Sequence, residues 1–448
     1  MPSPKNASDR TEAGRDPTWE LIQLANGAQL VLAPMAGRDS VAASILVRVG
    51  SRWESKRLAG VSHFLEHIVF KGTEHFPTSR DVSQSIEGIG GVLNASTDKE
   101  LTTFWARVPG AHLELALRLL FDLVFQPHIA PDEAERERQV VLEELLMYLD
   151  QPGDLVQILF DDLLWGEHPL ARDPAGTKAS VARIGAAELG AHRRDYYVPG
   201  RIVVVLSGGF DPGRARQLVE ALFDQRGAAI GPPDRPGSDG GTPQPLAREP
   251  AVRVRNRRGE QVHVLLGVRC SSYLAPDRWS LDVLNTILGE GMSSRLFLEL
   301  RERQALAYDI HSFAARHRDS GGFGIYMATQ PEQVETAVRG ALIEVGRLVR
   351  ERLTPADLER TKTQIEGRLR LQLESTSALA EFLGHQAALM GSVMSPAEVI
   401  AAVRSVSAAE VQATAQRLFS GPGWRMAAVG PGVRSDAALS AISSGVGG

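Results

Sequence analysis

Val61-Ser62-His63-Phe64-Leu65-Glu66-His67-Ile68-Val69-Phe70 is the stretch around which the rest of the chain is organised. At helical pitch, His63 and His67 lie one turn apart on a single face, and Glu66 sits beside both. Two imidazoles at that spacing can close on one metal ion, and the carboxylate between them can reach a water on that ion. An amphipathic helix that merely carries two histidines would read the same way, so the neighbouring segments decide.

Pro131 to Asp150 is the second informative segment, a helix opened by Pro-Asp-Glu and closed before Gln151-Pro152-Gly153. Glu137, Val140, Val141, Glu144 and Tyr148 share one face of it. Carboxylates on a stripe with valines and a tyrosine are costly to bury unless a cation meets them. Glu144 and Glu137 are therefore the candidates to point inward, whereas Glu143 shares its side with Arg136 and Gln139. The competing reading places both at a helix rim, paired with Lys or Arg.

Working outward, Leu21–Pro34 reads as a hairpin turning at Asn26-Gly27, and Ser40–Gly50 as a strand. Helix Ser79–Glu87 leads to strand Val92–Thr97, a turn at Asp98-Lys99 and strand Leu101–Pro109. Helices follow at Ala111–Phe125, Asp154–Trp165 and Ala186–Tyr197, then strand Arg201–Ser207 and helix Pro212–Gln225. Gly231–Pro250 is dense in proline and glycine and almost free of apolar residues, which is the composition of an interdomain linker. Beyond it lie strands at Val252–Arg255, Val262–Cys270, Ala307–Ala315, Gly322–Ala328 and Trp424–Val429. Helices are expected there at Trp279–Leu288, Met292–Arg303, Gln330–Arg352, Pro355–Glu374, Ala378–Met390 and Ala408–Phe419.

The halves read as copies. Residues 296–300 (LFLEL) stand where HFLEH stands, keeping only a glutamate as Glu299, and the Pro355 helix places Arg368 opposite Glu144. A duplicated frame stripped of its ligands implies one metal site per chain. The expected fold class is α+β: two homologous domains, each a mostly antiparallel sheet with helices on one face, joined into a clam-shell. The divisions are a disordered tail at 1–20, a metal-binding domain at 21–230, the linker at 231–250, a second domain at 251–432 and a C-terminal tail at 433–448.

Composition narrows the class further. At 448 residues the chain exceeds one ordinary core. With 43% hydrophobic and 23% charged residues it is globular rather than disordered. A net charge of −5, with no basic stripe, excludes a nucleic-acid surface. The first twenty residues carry no apolar core of a signal peptide, and no run of eighteen apolar residues could span a membrane. The single cysteine, Cys270, rules out an internal disulfide and fits a reducing compartment. The expected location is cytoplasmic.

H-x-x-E-H is the inverzincin signature, and with the segments above the chain resembles the pitrilysin/insulinase (M16) family of zinc peptidases. It is similar to the mitochondrial processing peptidase beta subunit and its bacterial relatives. The resemblance rests on HFLEH with Val69-Phe70-Lys71-Gly72-Thr73, on Glu137-Arg138-Gln139-Val140-Val141-Leu142-Glu143-Glu144, and on Gly291–Phe297 running to Arg301 and Tyr308. Asn94-Ala95-Ser96-Thr97 and His168-Pro169-Leu170 are smaller matches; Ala171 departs from the glycine frequent after the latter. The resemblance implies one Zn²⁺ held by His63, His67 and Glu144, with Glu66 as base and Glu137 as support. It also implies that Arg301 and Tyr308 act on the substrate carbonyl. Those two lie beyond the linker, so the halves would close on each other about a hinge in Gly231–Pro250. Short or unfolded peptides would add to the strand at Asn94 and Ala95, with no nucleic-acid or membrane partner. A homodimer, or a heterodimer with a related subunit, is the expected assembly. The alternative is a noncatalytic or partner-dependent subunit of a heterodimeric peptide-processing complex.

Overall fold

A computed structural model describes residues 18–226, 240–247, 249–421, 423–436, 439–440 and 442. The expected N-terminal tail up to residue 17, linker residues 231–239 and 248, and most of the C-terminal tail lie outside these described residues. Strands β1 (Glu20–Gln23), β2 (Gln29–Pro34), β3 (Ser40–Val47), β4 (Val92–Thr97), β5 (Thr102–Pro109) and β6 (Ile202–Gly208) form one sheet in the order β1-β2-β6-β3-β5-β4. Strands β7 (Ala251–Asn256), β8 (Val262–Cys270), β9 (Asp309–Arg316), β10 (Gly321–Thr329) and β11 (Arg425–Gly430) form the other, in the order β7-β11-β8-β10-β9. The pairings repeat in sign. β2 runs parallel to β6 as β7 does to β11, and every other neighbour is antiparallel. The fold is thus two copies of one α+β plan.

Before the linker come α1 (Val61–Val69), α2 (Ser79–Glu87), α3 (Leu113–Phe125), α4 (Pro131–Asp150), α5 (Pro152–Trp165), α6 (Lys178–Val181), α7 (Ala186–Tyr196) and α8 (Pro212–Gln225). After it come α9 (Arg278–Gly289), α10 (Val334–Arg350), α11 (Pro355–Gln372), α12 (Thr376–Met390), α13 (Pro396–Ser405) and α14 (Ala408–Phe419). The short α6 and the whole of α13 are additions to the expected elements. Each starts with a capping box, Thr177 with Ser180 and Ser395 with Glu398. The expected helix over Met292–Arg303 starts only at Arg295, after Gly291 takes a φ of +91°, and runs as a π-helix over Phe297–Arg303.

The register of the duplication differs from the sequence reading. α1 packs on α4, α7 and edge strand β4, and the element that packs on α11, α14 and edge strand β9 is α9. Buried Phe64, Leu65, Ile68 and Val69 then match buried Val283, Leu284, Ile287 and Leu288. This sets Asp282 and Thr286 opposite the histidines and Asn285 opposite Glu66, so Glu299 is not the persisting glutamate. Only α9 carries the full i, i+1, i+4, i+5 apolar pattern; Leu296, Phe297 and Leu300 keep three of its four positions and Arg301 breaks the fourth. Arg368 does keep its place opposite Glu144.

Each sheet has its own helices on one face. One core joins Leu30, Ile45, Phe64, Leu65, Phe104 and Phe121; the other joins Val264, Leu266, Leu284, Phe323 and Trp424. The opposite faces are covered by exchange. α5 lays Val156, Phe160 and Leu164 on Leu265, Ala427 and Val429 of the second sheet. α12 lays Leu379, Leu383 and Ala387 on Val31, Leu46, Val203 and Val205 of the first. Buried Arg52 adds a polar lock, pairing with Glu100 at 2.7 Å and Asp319 at 2.6 Å. Each large side chain in these layers is worth about 1.5–3 kcal/mol on burial, so the halves separate only at considerable cost.

Candidate metal centre

α1 buries Val61, Phe64, Leu65, Ile68 and Val69, which leaves His63, Glu66 and His67 on the face toward α4 and β4. On α4, buried Val141 and Leu145 fix the roll of the helix and bring Glu144 to the two rings. Glu144 Oε2 lies 3.1 Å from His67 Nε2 and 3.7 Å from His63 Nε2. The three ligand atoms lie within 4.8 Å of one another, the only such metal-competent group among the described residues. Tetrahedral zinc with bonds near 2.0–2.1 Å separates its ligand atoms by about 3.3 Å. The two observed separations bracket that value, and the donor set suits the ion. Burial, then the neighbouring His67, push the His63 imidazolium down to about 4, which keeps the ring neutral with a free lone pair.

The ligands are themselves held. His67 Nδ1 donates to Glu137 Oε1 at 3.0 Å, and Lys71 Nζ reaches Glu137 Oε2 at 2.5 Å. Burial alone would lower the proton affinity of His67; the bond to Glu137 and the charges of Glu144 and Glu66 outweigh it and raise it. Tyr148, one turn after Glu144, donates its hydroxyl proton to Glu144 Oε1 at 2.7 Å, leaving Oε2 for the rings. Thr97 on β4 donates to Glu66 Oε2 at 2.5 Å, and burial raises the Glu66 pKa above the ordinary carboxylate range. A carboxylate beside a metal-competent group, with its proton affinity raised, can act as a general base. In the second half Ser312 Oγ donates to Asn285 Oδ1 at 2.8 Å, the same edge-strand contact without an ionisable partner.

Glu54 escaped the sequence reading. Its carboxylate, 4% exposed, accepts from Gly60 N at 2.7 Å and Ser62 N at 2.8 Å, capping the first turn of α1. Burial pushes it up to about 7. Gly60 itself takes a φ of +95°, and a Cβ there would stand 2.7 Å from the Ala175 carbonyl. Ser62 Oγ meets His192 Nε2 at 3.1 Å from α7. The histidine helix is therefore pinned at its start by a loop carboxylate and along its flank by a neutral imidazole.

The remaining expected residues are more scattered. Asn94 and Ala95 lie on β4, which has β5 as its sole partner among the described residues, so its outer edge is open to another strand. His168 bonds Gly241 O and accepts from Leu170 N, a structural loop contact. Arg301 stacks on Phe297 and on Tyr308, forming a pair, but Tyr308 is 73% exposed and its contacts lie within the second half. It precedes β9, whose far end turns through His317 and Arg318 against Glu100. Eight strand residues, or about 26 Å, separate those ends. The structure does not bring the Arg301–Tyr308 pair to the metal ligands of the same chain.

Residues 30–178 match the family model described as Insulinase (Peptidase family M16), and residues 183–365 match Peptidase M16 inactive domain. An uncharacterised zinc protease of Streptomyces coelicolor is 34% identical over 88% of this chain and 85% of its own length. The chain belongs to peptidase family M16. Another uncharacterised zinc protease, from Bacillus subtilis, is 33% identical over 88% of this chain and 94% of its own length. Among solved structures, a protease from Helicobacter pylori superposes with a TM-score of 0.86 at 23% identity, over 93% of this chain and all of that one. A peptidase M16 inactive domain from Pseudomonas fluorescens gives 0.84 at 20% identity, over 93% of this chain and 99% of that one. These two establish the shared M16 fold. No helix among the described residues is long and apolar enough to cross a membrane.

Proposed function

We propose that this M16 chain is a zinc-dependent endopeptidase acting on short or unfolded peptides. The observation that carries the reading is the convergence of His63 Nε2, His67 Nε2 and Glu144 Oε2 beside Glu66 and an open sheet edge. Zinc held there would polarise the scissile carbonyl and acidify a water. Glu66 takes the proton of the attacking water and returns it to the leaving amine, a contribution worth roughly 10²–10⁴ in rate. Thr97 ties that base to β4, the strand on which we place the substrate backbone along Asn94 and Ala95, so base and peptide share one support. Glu137 and Tyr148 orient the ligands.

Arg301 and Tyr308 complete the site from a second copy. An exposed, preassembled arginine–tyrosine pair far along β9 has no route to its own chain's ligands while α5 and α12 remain interlocked. In a dimer it would meet the partner's carbonyl-binding position and donate hydrogen bonds there. A cytoplasmic setting belongs to the same reading, supported by the lone cysteine. Mixing two inactive variants, Glu66→Gln and Tyr308→Phe, tests the assignment. Random exchange should restore about a quarter of wild-type cleavage, because mixed dimers carry one intact site each. Wild-type cleavage by the Tyr308→Phe protein alone, or no gain in the mixture over the two variants separately, would contradict it.

A further inference from the structure

On the face of the first sheet away from the His63–His67 helix, α12 packs chiefly on β3, β6 and β2. Between them lies a cavity of about 200 Å³ lined by Ser44, Ser96, Thr103, Trp105, Glu381 and His385. Alternation explains the lining. Thr97 points forward to Glu66, so Ser96 points back, beside Thr103 and diagonal to Trp105 on β5. From the other side, Ser377, Glu381 and His385 recur one turn apart on α12 and meet that wall. The polar groups here are unpaired: the hydroxyls of Ser44, Ser96, Thr103 and Ser377, the Trp105 indole N–H and the Glu381 carboxylate have no hydrogen-bond partner among the described residues. His385 is engaged, donating Nδ1–H to the Glu381 carbonyl at 3.0 Å.

We infer that this cavity is a substrate subsite that takes one basic side chain of the bound peptide, read by Glu381 and Trp105. The inference rests on the proposed placing of substrate on β4. A strand added there continues the sheet, so alternate side chains face the metal and the rest face this cavity. The volume admits one long side chain. An aliphatic stem lies along the indole, a cationic head gains cation–π attraction, and the carboxylate with its surrounding hydroxyl oxygens accepts its protons. The second domain would thus help to choose the substrate of the first, through α12.

The test compares peptides that differ only by Arg, norleucine or Glu at each position of a scanned substrate, in wild type and in Glu381→Lys. Glu381 is solvent-exposed, so the charge reversal spares the α12 core contacts. At one position, wild type should prefer Arg over norleucine about tenfold in kcat/KM. Glu381→Lys should abolish or reverse that preference while cleaving the norleucine peptide within about twofold of wild type. Equal preferences in both proteins would overturn the subsite and leave the peptidase reading standing. Should wild type cleave none of the peptides, the peptidase reading fails. Binding of the same set to Glu66→Gln and Glu66→Gln/Glu381→Lys then decides the subsite alone: a lost Arg preference supports it, and indifference to position 381 refutes it.

Discussion

Replacing Glu137 with glutamine should weaken zinc binding without unfolding the chain. Glu137 is 5% exposed and uses both oxygens, one toward His67 Nδ1 at 3.0 Å and one toward Lys71 Nζ at 2.5 Å. Although burial raises a carboxylate's pKa, the bonds from His67 and Lys71 hold this one below its ordinary range. Glutamine can accept from only one of the two donors and turns an N–H₂ toward the other. If its oxygen stays with His67, Lys71 meets a donor and swings to solvent; if it turns to Lys71, the imidazole loses its orienting acceptor. In either case the charge that makes His67 a stronger base is gone. Loss of such a support typically costs 10–100-fold in metal affinity, or about 1.4–2.7 kcal/mol at 1.36 kcal/mol per decade. Competition against a chromophoric chelator at pH 7.5 measures this, with denaturant unfolding as a check on the fold. Affinity within about twofold of wild type would refute the role assigned to Glu137.

Four further outcomes are expected. Tyr148→Phe frees Glu144 Oε1 and should lower zinc affinity several-fold, by less than Glu137→Gln, because one neutral hydrogen bond is worth about 1 kcal/mol. His192, buried, is pushed down to about 3 by burial and then by Arg201, so it is neutral in the fold. Its stabilising contribution is present above pH 6.5 and is lost as pH falls toward 3. The wild-type advantage over His192→Gln should therefore shrink by about 2 kcal/mol between pH 7 and pH 5, read from urea unfolding. Phe160→Ala, in the exchanged helix α5, should cost about 3–5 kcal/mol in the same assay. Tyr308→Phe should leave zinc affinity unchanged while lowering kcat, as read by chelator competition alongside peptide turnover.

The grouping of the candidate metal-binding residues was legible because their spacing is local. His63, Glu66 and His67 announce themselves by helical spacing, and Glu137 and Glu144 by standing on an apolar stripe where only a cation makes carboxylates affordable. Tyr148 was visible on that stripe too, though its bond to Glu144 needed coordinates. Glu54 was not legible, since a loop carboxylate that caps a helix across a turn leaves no periodic trace. Nor was the exchange of α5 and α12: an apolar helical stripe says that a helix is buried, not which sheet buries it. The same limit misplaced the duplication register, because two consecutive helices of the second half carry similar apolar spacing. The Arg301–Tyr308 pair reads clearly as a pair, but where it acts depends on how chains assemble.

The most direct measurement is made on Glu66→Gln: zinc content after dialysis, together with the rate of peptide cleavage. The expected result is one zinc per chain, as in wild type, with cleavage lower by roughly 10²–10⁴. A Glu66→Gln protein that cleaves at the wild-type rate, or a wild-type protein that cleaves peptides undiminished after complete removal of its metal, would contradict the assignment of this helix as the catalytic centre.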